Sequence, residues 1–498
     1  MIDAKPERKT RKFKDADYYD LNKDNQYFLL PFRFHRITED KEIIVNEVGD
    51  FLILPTGTYE KIVKRLIDKD TDSDLYGDLI ANFFISEEVI SPLIDVLATR
   101  YRTKKLFLNH FTGLHIFVIS LRCEHTCHYC QVSRVTQNRD LYDMSIDYID
   151  KGIDIMFKSP NPHVTMEFQG GEALLAFDNI KYAVEKAERI AKEIGKGLTI
   201  VICTNLAIVT EEILEYCKVH EILISTSLDG PKNIHDSNRH KPHASSYELT
   251  IKGIELARKI LGHDRVSALM TTTKLSIDYP IEIVDEYFNL GFQGIFLRNI
   301  SPYGFALRTE KSKYDTEKFV DFYKKALDRI LEYNFQGYNF TEDLARIFLI
   351  KMLSPFNVGF VDLQSPAGLI NGVIVFNYDG SVYATDESRM LAEQKDYTFK
   401  LGTLNDNYNE LFFGEKAQEI AKVWANESLA GCSECAFQQY CGADPVHNHA
   451  TQGDMYGYRP DSDFCQKNME IIRYLIELME SDKRIKKIFQ GWAKTVNH

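Results

Sequence analysis

The stretch Leu114–Cys130, LHIFVISLRCEHTCHYC, decides how the rest of the chain is read. Its first half is an apolar, β-branched run that reads as a strand. Its second half sets Cys123, Cys127 and Cys130 at C-x3-C-x2-C spacing where that strand ends. Further runs of the same kind follow at TMEFQG, LTIVICTN, EILISTSLD, VSALMTTT and GIFLRNIS. Helical stretches such as NIKYAVEKAERIAKEIG and ELTIKGIELARKIL lie between them. Six strands alternating with helices over 111–310 predict an α/β fold, a parallel sheet with right-handed crossovers, open or partly closed. In such sheets chemistry gathers at the carboxyl ends of the strands, where the three cysteines stand.

Outward from this core the pattern changes on both sides. Residues 1–26 are charge-rich and poor in aliphatics, and read as a disordered tail. From Tyr27, the runs YFLLPFRF, EIIVNEV and DFLILP predict a three-strand meander, followed by helical periodicity in TYEKIVKRLI and SDLYGDLIANFF. Strands then helices over 27–110 predict a separate winged-helix-like unit. Downstream, TEKFVDFYKKALDRILEY marks a helical bridge over 311–360. The segment 361–498 reads as loop-rich and carries Cys432, Cys435, Cys441 and Cys465. Its last helix has Met469, Ile472, Ile476 and Met479 on one face, a stripe suited to core packing.

Composition narrows the function. A length of 498 residues suggests about three domains. The formal charge of −13 offers no basic face for a phosphate backbone, which argues against nucleic-acid binding. No apolar run approaches the ~20 residues of a membrane helix, and the charged start lacks a signal peptide's apolar segment. A cytoplasmic protein is expected. Nine cysteines are too few for a disulfide-stapled fold, so the two clusters read as metal ligands. Cys203 and Cys217 stand apart, and Cys217 reads as a small buried hydrophobe.

Structural zinc needs four ligands, and the first group offers no fourth at knuckle spacing, since His125 and His128 lie within the loop. Three thiolates can instead hold three irons of a 4Fe–4S cluster and leave one iron open. This spacing, with Tyr129 before the last cysteine, resembles the radical S-adenosylmethionine (SAM) superfamily, which implies a partial (β/α)6 TIM barrel for 111–310. Gln169-Gly170-Gly171-Glu172 is similar to its GGE motif, which holds the SAM amino group. Thr204 and Asn205 match its threonine–asparagine pair, with Leu206 where glycine is usual. Ser227-Leu228-Asp229-Gly230-Pro231, then His235-Asp236 and Arg239, resemble the signature by which peptide-modifying members hold the SAM ribose and carboxylate. Arg298 and Ser301 precede Tyr303-Gly304 in the sixth run. Singly these have plain readings: a tight turn at the glycines, a solvated surface residue at Arg239. Together they imply reductive cleavage of SAM and hydrogen abstraction by a 5′-deoxyadenosyl radical.

The second group resembles the SPASM domain of radical SAM peptide maturases, which usually carries seven cysteines and two auxiliary clusters. Here Ser365, Thr385 (after Gly380) and Pro445 stand where three of those cysteines would be. In the family all three serve the nearer auxiliary cluster, whereas Cys432, Cys435, Cys441 and Cys465 are the full ligand set of the outer one. The resemblance therefore implies one auxiliary 4Fe–4S cluster; four thiolates also suit structural zinc. His447 and His449 read as loop histidines. Asp386 occupies the place of a proton-accepting aspartate in formylglycine-forming relatives, or is a plain loop carboxylate.

Over its whole length, from LLPFRF to FCQKNMEIIRYL, the chain resembles the B-type radical SAM maturase of the His-Xaa-Ser peptide system. That implies a small ribosomal precursor peptide as substrate, a second radical SAM protein as companion, and an external flavodoxin- or ferredoxin-type electron donor. The 27–110 unit is similar to elements that capture leader peptides by strand addition, or is a structural cap. The rival readings are an anaerobic sulfatase-maturing enzyme, a tRNA-modifying enzyme, and a non-catalytic iron–sulfur or zinc scaffold.

Overall fold

The computed structural model describes residues 27–88, 92–130, 138–303, 314–356, 358 and 361–494. The tail expected over 1–26, and Gly304, lie outside the described residues. The chain divides into two units, 1–101 and 102–498.

In the first unit, β1 (Phe28–Leu29) pairs antiparallel with β5 (Ile85–Ser86). Strands β2 (Phe32–Arg36), β3 (Lys41–Asn46) and β4 (Phe51–Pro55) form an antiparallel meander. The single run YFLLPFRF thus splits into two strands in different sheets. Pro31 explains the break, because it has no N–H to continue a ladder. Helices α1 (Thr58–Val63) and α2 (Ser73–Ala81) add Ile62 and Leu79 to a core with Tyr27, Ile44 and Phe84.

The second unit is built on one eight-stranded sheet. Its parallel strands are β6 (Leu114–Ser120), β7 (His163–Gly170), β8 (Gly197–Thr204), β9 (Leu223–Ser227) and β10 (Val266–Leu269). The sixth expected strand departs from the reading. GIFLRNIS yields only β11 (Gly294–Ile295), which pairs with β12 (Thr341–Glu342) of the bridge rather than with β10. One main-chain bond, Thr272 N–H to the Arg298 carbonyl at 2.9 Å, ties its end toward β10. The sixth contiguous parallel strand is instead β13 (Val373–Phe376), which pairs with β6 on the opposite side. β14 (Ser381–Tyr383) and β15 (Lys400–Thr403) extend it antiparallel. The segment after 361 is therefore partly sheet, not mainly loop. Alternation along β7 buries Val164, Met166 and Phe168 in the core under the helices, while Thr165, Glu167 and Gln169 take the other face.

Candidate functional site

The first cysteines leave β6 on a loop held by polar bonds on all sides. Immediately before it, buried Arg122 forms a two-bond ion pair with Asp143, at 2.7 Å each, and also donates to the Leu175 carbonyl. Across from it, the end of β7 comes so close that Gly171 N–H bonds the Ser120 carbonyl at 2.8 Å and Glu172 N–H bonds that of Arg122 at 2.7 Å. A Cβ on Gly170 would lie 1.9 Å from the Ser120 oxygen, and one on Gly171 2.3 Å from the Arg122 oxygen. The glycines thus serve close approach to the backbone of the cysteine loop itself.

Glu172 is fully buried and clamps two strand ends. It accepts from the Thr204 hydroxyl (2.6 Å), the Asn205 N–H (2.8 Å) and the Leu174 N–H (3.0 Å). Burial, with the nearby Glu124 charge, pushes its carboxyl up to about 7. Asn205 in turn donates to Glu124 at 2.9 Å, and its Nδ2 lies 3.0 Å from His125 Nδ1. His125 Nε2 meets Ser246, which also meets His235 at 3.1 Å. Leu206, in the glycine position, adopts positive φ (60°). The thiol of Cys123 shares a 4.8 Å neighbourhood with Glu124 and His125. Both ring nitrogens of His125 are engaged, so this trio is not an open metal site.

On the far side, Tyr129 donates to Asp229 at 2.6 Å, and Arg239 Nε stands 3.2 Å from the same carboxylate oxygen. Asp229 is fully buried and its N–H meets His235 Nδ1. The polar atoms of Asp229, His235 and Arg239 therefore brace one another. They stand against Tyr129 of the cysteine loop, with the Arg239 guanidinium 5.4 Å from the centre of its ring. Arg239 is not a solvated surface residue. Ser227 ends β9 and Arg298 sits at the end of the sixth run, 3.7 Å from Glu387.

The second group converges. Cys432, Cys435, Cys441 and Cys465 all line one cavity of about 30 Å³, with Phe437, Met469 and Ile472 as apolar walls. Cys465 lies in the first turn of α3 (Asp463–Ser481), and its N–H bonds the capping Ser462 at 3.2 Å. Met469 Sδ is 3.7 Å from Cys465 Sγ, so this residue of the expected core stripe faces the thiols. Burial and the neighbouring thiols push Cys432 up to about 12 and Cys465 to about 11. Buried Lys351 donates to the Cys441 carbonyl at 2.6 Å, and burial pulls its amine down to about 7.

The three positions that lack thiols are used otherwise. Ser365 bonds Glu427 and accepts from the Asn426 N–H at 3.0 Å. Thr385 caps the helix Asp386–Ala392, and Pro445 opens the helix Pro445–Gln452. Ala367, Leu369, Ile370, Ala384, Ala443 and Val446 are buried in the main core around them. The void at Thr385 is about 10 Å³, room for about one water.

Sequence reading missed two features. His447 and His449 are helical, and His447 Nε2 meets Asp463 at 2.5 Å on the wall of a cavity of about 300 Å³. Arg298, Ser301, Tyr303 and Glu387 line the same cavity. Inside the barrel, Glu167 hydrogen-bonds Cys203, and burial pushes both groups up, with the Asp386 charge adding to it. Cys203 is therefore a polar partner, whereas Cys217 is core as expected. Asp386 itself leans on Arg389 at 3.4 Å.

Residues 117–287 match the radical SAM superfamily. The chain carries a radical SAM domain, and it is an enzyme. It is 24% identical over 332 residues to the radical SAM cyclopropyl synthase TigE of Paramaledivibacter caminithermalis, covering 62% of this chain and 66% of that one. It is 23% identical to a cysteine-type anaerobic sulfatase-maturating enzyme of Clostridium perfringens, over 63% of this chain and 86% of that one. Among solved structures, native anSMEcpe with bound AdoMet superposes with a TM-score of 0.61 at 18% identity, over 76% of this chain and 99% of that one. Streptococcus suis SuiB bound to its precursor peptide SuiA gives 0.50 at 15% identity, over 87% and 98%. Those likenesses establish the fold of the radical SAM domain. No described helix is long and apolar enough to cross a membrane.

Proposed function

We propose that this enzyme modifies a ribosomally made peptide, with Cys123, Cys127 and Cys130 holding a 4Fe–4S cluster whose open iron takes SAM. The observation that carries it is the loop of three thiols at the end of β6, braced by Arg122, Glu172, Asn205 and Tyr129. With cluster and SAM bound, the chemistry supplied is hydrogen abstraction from a substrate C–H by a 5′-deoxyadenosyl radical. The chain's own residues orient and exclude water. Glu172 and Asn205 fix the loop, Gly170 and Gly171 admit close approach, Ser227 presents a polar group at the end of β9, and Arg298 presents one in the segment after β11. Cys432, Cys435, Cys441 and Cys465 hold one auxiliary cluster.

The peptide's reacting residue enters the 300 Å³ cavity beside Arg298 and Glu387, and Asp386, the residue before Glu387, is the proton acceptor. A His-Xaa-Ser repeat peptide is the substrate, and the first unit captures its leader by strand addition to its sheet. Sulfatase maturation is the second reading, favoured by the relatives that bear that name. Against it stands the replacement of three thiols by Ser365, Thr385 and Pro445. The test gives anaerobically reconstituted enzyme two synthetic peptides, one of His-Xaa-Ser repeats and one with a sulfatase-type cysteine. Mass change in the first alone is expected. Formylglycine in the second would favour sulfatase maturation.

A further inference from the structure

Two polar side chains reach the sulfur atoms of the second cavity. Asn468, 1% exposed and one turn beyond Cys465, directs Nδ2 to Cys441 Sγ at 3.7 Å. Arg459 donates to the Gly431 carbonyl, places Nη2 3.8 Å from Met469 Sδ, and hydrogen-bonds Cys465. Among the described residues lining this cavity, Arg459 is the one charged side chain; no carboxylate faces it. The first site differs in sign, with the Glu124 carboxylate within 4.8 Å of Cys123 Sγ.

A thiolate-ligated 4Fe–4S cluster gains negative charge on reduction. A neighbouring cation, or an N–H aimed at a ligating sulfur, stabilises the reduced form more than the oxidised one, and the potential rises. We propose that Arg459 and Asn468 are positioning residues that raise the reduction potential of the auxiliary cluster, so that it takes up an electron more readily than its thiolates and apolar walls alone would allow. This rests on the reading that the four outer thiols hold iron–sulfur.

The test uses the full chain carrying C123A, C127A and C130A, so that only the second site holds metal. A redox titration followed by electron paramagnetic resonance compares this parent with added R459Q, R459K and N468L. R459Q removes the charge, R459K keeps it, and N468L removes the other donor. R459Q and N468L should each move the midpoint to lower potential, and their combination further. R459K should lie nearer the parent than R459Q does. About four irons per chain should remain in each. Should R459Q fail to load iron, N468L and R459K carry the comparison. Midpoints equal to the parent's with iron retained would overturn the proposal and leave the cluster reading standing. Zinc in the parent would overturn that reading, and the proposal with it.

Discussion

The two thiol sites of this chain are held together by opposite means. In the first, all three thiols lie on one loop, and its shape is imposed from outside by buried polar bonds: Arg122–Asp143, Glu172 to Thr204 and Asn205, and Tyr129 to Asp229. In the second, three thiols follow one another in a turn and the fourth comes from the start of a helix, around walls of Phe437, Met469 and Ile472. There a group held by all four thiols would join two chain segments, so that binding and local folding would be linked. Each site is therefore fragile in its own way. The first fails when a buried polar partner is removed; the second fails when a ligand is removed.

The largest effect on the first site should come from Arg122→Ala, which takes the two-bond guanidinium from buried Asp143 and leaves it the Ser120 hydroxyl at 2.6 Å and the exposed Arg139 at 3.5 Å. A loss of about 3–5 kcal/mol is expected in denaturant unfolding, with SAM cleavage lost alongside. Gly171→Ala comes next. Its Cβ would meet main-chain oxygens at 2.3 and 2.6 Å, so the cysteine loop must shift. Misplacement of about 1 Å should slow SAM cleavage about a hundredfold, measured as 5′-deoxyadenosine formed. Tyr129→Phe removes one hydrogen bond to a charged partner that keeps Arg239, and should cost about 1.5–3 kcal/mol of stability. Cys465→Ala should touch the first site least. Iron should fall from about eight to about four per chain, while uncoupled SAM cleavage holds near its original rate. If instead Cys465→Ala abolished cleavage, the two sites would not be independent and the comparison would break.

Much of this was legible in the sequence, because local patterns carry it. Apolar β-branched runs place β6 to β10, and the cysteine spacings mark both sites. What was not legible depends on pairing across the chain. GIFLRNIS has a strand's composition, yet its neighbour is β12, and the sheet position beside β6 goes to β13 from far downstream. Burial likewise hid the roles of Glu172, Asp229 and Arg239. Their motif marks them as important, but only the fold reveals that Glu172 bonds Thr204 and Asn205, and that Asp229 bonds Arg239 and Tyr129 of the cysteine loop. Met469 shows the same limit, since helical spacing puts it on a core face and cannot say that this face is lined with sulfur. His447 gave no spacing signal, because its partner Asp463 lies on another helix.

The central claim is that Cys123, Cys127 and Cys130 form the site at which SAM is cleaved. The most direct measurement is the yield of methionine and 5′-deoxyadenosine from SAM under a strong reductant, without oxygen, in reconstituted parent and in the C123A/C127A/C130A variant. The account predicts formation of both products by the parent and none above background by the variant, which should still hold about four irons at the second site. Continued production of 5′-deoxyadenosine by that variant would contradict it.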